Sequence, residues 1–111
     1  MKKEAQIRIV VFAPGQKPEA RTIDNTLAAM QSVVGGRIEL FPLGENEVLE
    51  GICNEEGLNE GLEFNRYIPY LQTIIAGTFY ITASRGPEFR SLTSEEEARA
   101  MQLFARMEAI R

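Results

Sequence analysis

The sequence predicts an α+β domain built on a mixed or antiparallel sheet of about four to five strands. A short helix at about residues 26–34 and a C-terminal helix at about residues 94–109 cover that sheet. Three observations predict this class. Two runs rich in β-branched residues, 6–12 and 73–83, alternate with the two-residue period of a strand. Thr93-Ser94-Glu95-Glu96 has the spacing of a capping box, and Ala100, Leu103, Phe104, Met107 and Ile110 follow as one helical stripe. Most glycines and prolines fall between these segments, where turns are needed.

Residues 6–12 place Ile7, Ile9 and Val11 on one face of a strand. Residues 13–18 carry two prolines and a glycine and read as a loop, and residues 19–23 return as a second, short strand. Asp24 or Asn25 caps the first helix, since a short side-chain acceptor satisfies the free N–H groups of a first turn. Leu27, Met30, Val33 and Val34 follow at helical spacing, and Gly35-Gly36 supplies a left-handed stop.

Residues 37–43 form a strand that Pro42 demotes to an edge or a strand end, because proline has no N–H to give a neighbour. Gly44-Glu45-Asn46 turns the chain, and residues 47–53 return as the hairpin partner. Asn54-Glu55-Glu56-Gly57 has the composition of a type I turn closed by a left-handed Gly57. Residues 65–69 continue as irregular or briefly helical chain. Residues 73–83 form one long strand, with Ile75, Phe79 and Ile81 facing one way and Ile74, Ala76, Thr78 and Tyr80 the other. Gly77 inside it marks a bulge or a close approach by another backbone or a ligand. Residues 84–92 are a loop leading to the final helix, whose acidic first turn and terminal Arg106 and Arg111 complement its dipole.

A chain of 111 residues fits a single domain, residues 1–111, with one core. It contains no histidine and one cysteine, Cys53. Ser-His-Asp and Cys-His catalysis, His-ligated zinc and an intrachain disulfide are thereby excluded. Carboxylate chemistry with Mg²⁺ stays open as the least favoured function, and no cofactor, metal or catalytic residue is expected. Cys53 ends an apolar strand and reads as an inert, buried thiol suited to a reducing cytoplasm. The apolar run near the N-terminus is broken by Arg8 and followed by Pro14-Gly15, unlike a secretion signal. No stretch reaches the roughly 20 apolar residues of a membrane span, so no membrane partner is expected.

Charge is distributed unevenly. Residues 38–65 hold eight glutamates (39, 45, 47, 50, 55, 56, 60 and 63) and no Lys or Arg, whereas the remainder holds all 12 basic residues and eight acidic ones. Such a stretch suits a basic partner or a solvated surface, and it has neither the ligand order of a calcium loop nor the carboxylate density of a DNA mimic. Lys2-Lys3 is too short for a nucleic-acid arm, so direct nucleic-acid binding is not expected.

Two further constellations offer ligand-binding candidates. Asn54 and Glu55, with Asn65 and Arg66, present amides and a guanidinium fork to a planar polar ligand or a phosphate. The structural alternative is that Asn54 bonds its own turn and Arg66 pairs with a nearby glutamate. Arg85, Phe89 and Arg90 precede a helix N-terminus, where two cations and a stacking face would suit an anion or nucleotide. The alternative there is that Phe89 covers the end of the core while the arginines are solvated.

Three stretches in order resemble a family. They are residues 10–36 with Ile23-Asp24 and Gly35-Gly36, then Cys53-Asn54-Glu55-Glu56-Gly57 with Asn65-Arg66, then Ile75-Ala76-Gly77-Thr78-Phe79 leading to Phe89-Arg90-Ser91-Leu92-Thr93. Together they resemble the domain-of-unknown-function 3846 proteins of phages, plasmids and integrated mobile elements. Thr78 joins the candidates as part of the third stretch. The resemblance implies no reaction; it implies a bacterial host cytoplasm and a mobile-element setting associated with counter-defence.

The leading expectation is therefore a non-enzymatic binding protein for a small anionic ligand or a host protein, with homo-oligomeric sites as one arrangement. The alternative is an acidic interaction module that blocks a nucleic-acid-binding host protein.

Overall fold

The computed structural model describes residues 4–103. Along the chain it forms β1 (Gln6–Phe12), β2 (Glu19–Asp24), α1 (Leu27–Val34), β3 (Ile38–Pro42) and β4 (Leu49–Asn54). Then come β5 (Phe64–Ile68), β6 (Thr73–Ala76), β7 (Phe79–Arg85), β8 (Glu88–Arg90) and α2 (Ser94–Leu103). The class is α+β, and every strand pairing is antiparallel.

Eight strands among the described residues exceed the expectation because two short ones, β5 and β8, lie where the sequence shows no alternation and the expected strand 73–83 is two, β6 and β7. Six form one sheet in the order β2-β1-β7-β4-β3, with β8 also on β7, while β5 and β6 form a separate ribbon. β7 is the centre. One edge pairs with β4, and the other pairs first with β1 and then with β8. β3 is an edge strand, as Pro42 requires.

Alternation along the central strands builds a core on each face of the sheet. Ile7, Ile9, Val11, Ile52 and Tyr80 meet Met30 and Val34 of α1 on one side. Val10, Phe12, Leu49, Phe79 and Ile81 face the other side, where Ile68 and Ile75 of the ribbon pack with Leu92, just before α2, and Ala100, within α2. Within this second core Phe12 stacks on Phe79 at 4.9 Å and Phe41 meets Phe79 edge-on at 5.6 Å. Such ring pairs add roughly 0.5–1.5 kcal/mol each beyond their buried area.

α1 ends as expected on a left-handed Gly35, but its N-cap is Thr26, whose side chain accepts from the Ala29 N–H. Asn25 is buried instead, and its amide donates to the Glu4 and Phe89 carbonyls. Asp24 closes β2 and accepts from Gln6. Leu27, placed on the helical stripe, is exposed. The Thr93–Glu96 capping box forms in both directions. Ion pairs Arg8–Glu97 and Arg99–Glu47 tie α2 to the sheet and to the approach to β4. The expected helix beyond Leu103, with Phe104, Arg106, Met107, Ile110 and Arg111, lies outside the described residues.

The expected long strand 73–83 is divided at Gly77-Thr78. Gly77 adopts φ 83°, a backbone angle that favours glycine, and a Cβ there would push aside the end of the Leu62 side chain, 2.7 Å away. The break lets β6 leave the main sheet and pair with β5, the strand formed where residues 65–69 lack an obvious period. Likewise the expected loop 84–92 contains the β7–β8 hairpin. Gly57 does not have the positive φ expected of it; Gly61 does. No described helix is long and apolar enough to cross a membrane.

Candidate functional site

Asn65 and Arg66 lie inside the structure, not on a reading surface. Asn65 is fully buried, and its amide donates to the carbonyls of Phe12 and Gly77, both at 2.8 Å. This stitches the end of β1 to the break between β6 and β7. Arg66 donates from Nη1 to the Asn65 side-chain oxygen at 2.8 Å and from Nη2 to the Gln16 carbonyl at 2.8 Å. Its guanidinium sits 5.9 Å from the centre of the Phe12 ring. The expected glutamate partner is replaced by these carbonyl-type oxygens. Burial lowers the pKa of Arg66, and its Nε–H has no acceptor.

Asn54 is buried and engaged three ways. Its Oδ1 accepts from the Glu56 N–H, as turn chemistry predicts, while its Nδ2 donates to the Val34 carbonyl at the end of α1 and to Glu60. Glu55 is exposed and forms an ion pair with Arg37 at 3.3 Å. Asn54 and Glu55 both line the groove described below, and neither Asn65 nor Arg66 does. Thr78 is half-buried in the break before β7.

Sheet alternation separates the other set. Phe89 packs against the core under α1, whereas Arg90, one residue on, turns to the opposite face and reaches Glu96 of α2 at 2.8 Å. That hydrogen-bonded pair raises the Arg90 pKa and holds the Glu96 carboxyl at about 2. Arg85 is exposed at the hairpin end opposite Glu88. Arg66 therefore lies apart, in the β5–β6 ribbon, and Phe89 faces away from Arg85 and Arg90, which the hairpin register places on its other face.

The structure does bring together a groove that the sequence does not reveal. A cleft of about 240 Å³ runs between Glu39 and Cys53, at the ends of β3 and β4, and all four residues of β6. The Asn54–Asn59 turn forms its end, with Glu55, Leu58 and Asn59 in the lining. Of the described residues lining it, none is Lys or Arg; Arg37 reaches its rim only through Glu55. Burial, and then the Glu39 carboxylate, pushes the Cys53 thiol up to about 11. Leu58 stands 58% exposed on the lip. The missing signal was the break in 73–83, for which Gly77 was the only cue.

Among the described residues no group of three cysteine, aspartate or glutamate side chains is arranged to hold a metal ion. No curated protein and no solved structure matches the chain. A family profile matches residues 7–105, nearly the whole sequence, and its description reads "Domain of unknown function (DUF3846)". On that match, which spans both sheets and α2, the chain belongs to this family.

Proposed function

We propose that this protein is an interaction module whose acidic groove receives a positively charged segment of a partner protein. The observation that carries this is the lining: Glu39 and Glu55 flank a cleft with no cation in it, and Glu56 and Glu60 stand on the adjoining turn. Opposite charges across such a surface steer encounter and select partners. Proteins that bind nucleic acid carry basic surfaces, so one in the cytoplasm of a bacterial host of a mobile element is the partner this reading implies.

The test is titration with a fluorescent lysine-rich peptide at rising salt. Affinity should fall steeply with ionic strength and drop about tenfold in Glu39→Gln/Glu55→Gln, a change of about 1.4 kcal/mol. The same substitution at Glu45, on the β3–β4 turn, should leave it unchanged. Binding indifferent to salt and to both substitutions would defeat the reading.

A second reading, binding of a small anion, is favoured by one observation: the buried guanidinium of Arg66 has no carboxylate partner and an unbonded Nε–H. Thermal unfolding with millimolar phosphate or nucleotides tests it; a rise in melting temperature that Arg66→Met abolishes supports it.

A further inference from the structure

Resting on the acidic-groove reading, we infer that the partner segment is extended and adds as a third strand to the β5–β6 ribbon, along the outer edge of β6. Among the described residues the strand neighbour of β6 is β5 alone. Phe64 stands opposite Ala76, and the Gly77 N–H donates to the Glu63 carbonyl at 2.7 Å, one residue beyond the pair on each strand. That bond identifies Phe64–Ala76 as a pair that does not exchange its own hydrogen bonds. The N–H and C=O of Ala76 therefore point away from β5. The register shift between Phe64 and Arg66 puts its extra residue, Asn65, on β5, so β6 keeps its two-residue period and the N–H and C=O of Ile74 point away from β5 as well.

An independent contact agrees. A Cβ on Gly57, across the groove, would come within 2.6 Å of the Ala76 oxygen, so that oxygen projects outward from the ribbon. Gly57 closes this end of the edge, while the Ile74 N–H, the Ile74 C=O and the Ala76 N–H face the cleft. Thr73 is exposed and Ile74 half-buried, which leaves the other end open for entry.

Edge backbone groups bind any extended chain, and specificity then comes from alternate side chains. Here Glu39 and Glu55 select Lys or Arg. The fitting sequence is thus a short extended segment with basic residues at alternate positions, and no proline where Ile74 requires an N–H.

The experiment uses the full chain, isotope-labelled, and the peptide acetyl-Val-Lys-Val-Lys-Val-Lys-Val-amide. Amide hydrogen exchange at Ile74 and Ala76 should slow at least tenfold at saturation. N-methylating the peptide at alternate positions should weaken binding about tenfold for one set of amides and leave the other set near the parent, because only every second residue faces β6. Salt-sensitive binding with no change in exchange at Ile74, or equal effects from both methylated sets, would overturn strand addition and leave the acidic groove standing. Absence of salt-sensitive binding for every peptide would overturn the groove reading itself.

Discussion

The ring of Phe41 lies directly over Gly51, its partner on the neighbouring strand, where a Cβ would overlap the ring carbons. The ring continues inward to meet Phe79 edge-on, so it is held from two sides. Gly51→Ala is expected to destabilise the fold by about 2 kcal/mol through overpacking. Thermal unfolding of Gly51→Ala, Phe41→Leu and the double variant should show strong non-additivity, since the smaller Leu side chain leaves room for the new methyl.

Asn65 is a fully buried amide whose side chain makes three hydrogen bonds. Asn65→Ala removes the amide that serves the Phe12 and Gly77 carbonyls and leaves Arg66 Nη1 only its 3.3 Å bond to the residue 65 backbone carbonyl. A loss of about 3 kcal/mol is expected, from at least two unsatisfied buried groups. Urea unfolding measures it, with the slope unchanged if only the native state is affected.

The Arg90–Glu96 pair gives the fold a pH dependence. The folded carboxyl titrates at about 2, below its usual value, so its stabilisation is complete above about pH 4.5 and is lost as pH falls towards 2. Arg90→Gln should cost about 2 kcal/mol at pH 7, and its deficit relative to wild type should shrink as Glu96 protonates. Unfolding midpoints measured from pH 7 to pH 2 follow this convergence.

Cys53 should be nearly inert in the native state. With its thiol at about 11, thiolate is scarce at pH 8, and the side chain is almost fully covered. Alkylation by iodoacetamide should run at least about a hundredfold slower than in the unfolded chain. Equal rates with and without denaturant would contradict this burial.

How far the sequence carries depends on whether a segment's period comes from one core or two. β1 and α2 announce themselves because their apolar residues repeat against a single layer or fill both. β5 does not, since a register shift between Phe64 and Arg66 buries two neighbours in a row, and both of them, Asn65 and Arg66, are polar. β8 is three residues long and straddles both faces, too short for any period to show. Gly77 had two readings as a bulge or a close approach, and only the φ of 83° reveals that it ends a strand. The groove was illegible for the same reason, because its wall is the piece of chain that Gly77 releases. Asn54 was legible as a turn former, but its grip on the Val34 carbonyl spans 20 residues and has no local signature.

The position of β7 at the centre of the sheet has a consequence for the order of biogenesis. The hairpins β1–β2 and β3–β4 share no hydrogen-bonded edge, and each waits for residues 79–85 to join them. A nascent chain emerging from the ribosome therefore holds two separate ribbons with open edges until residues 79–85 have been translated. Closure then depends on contacts between distant parts of the chain, which sets folding on the slow side for its length.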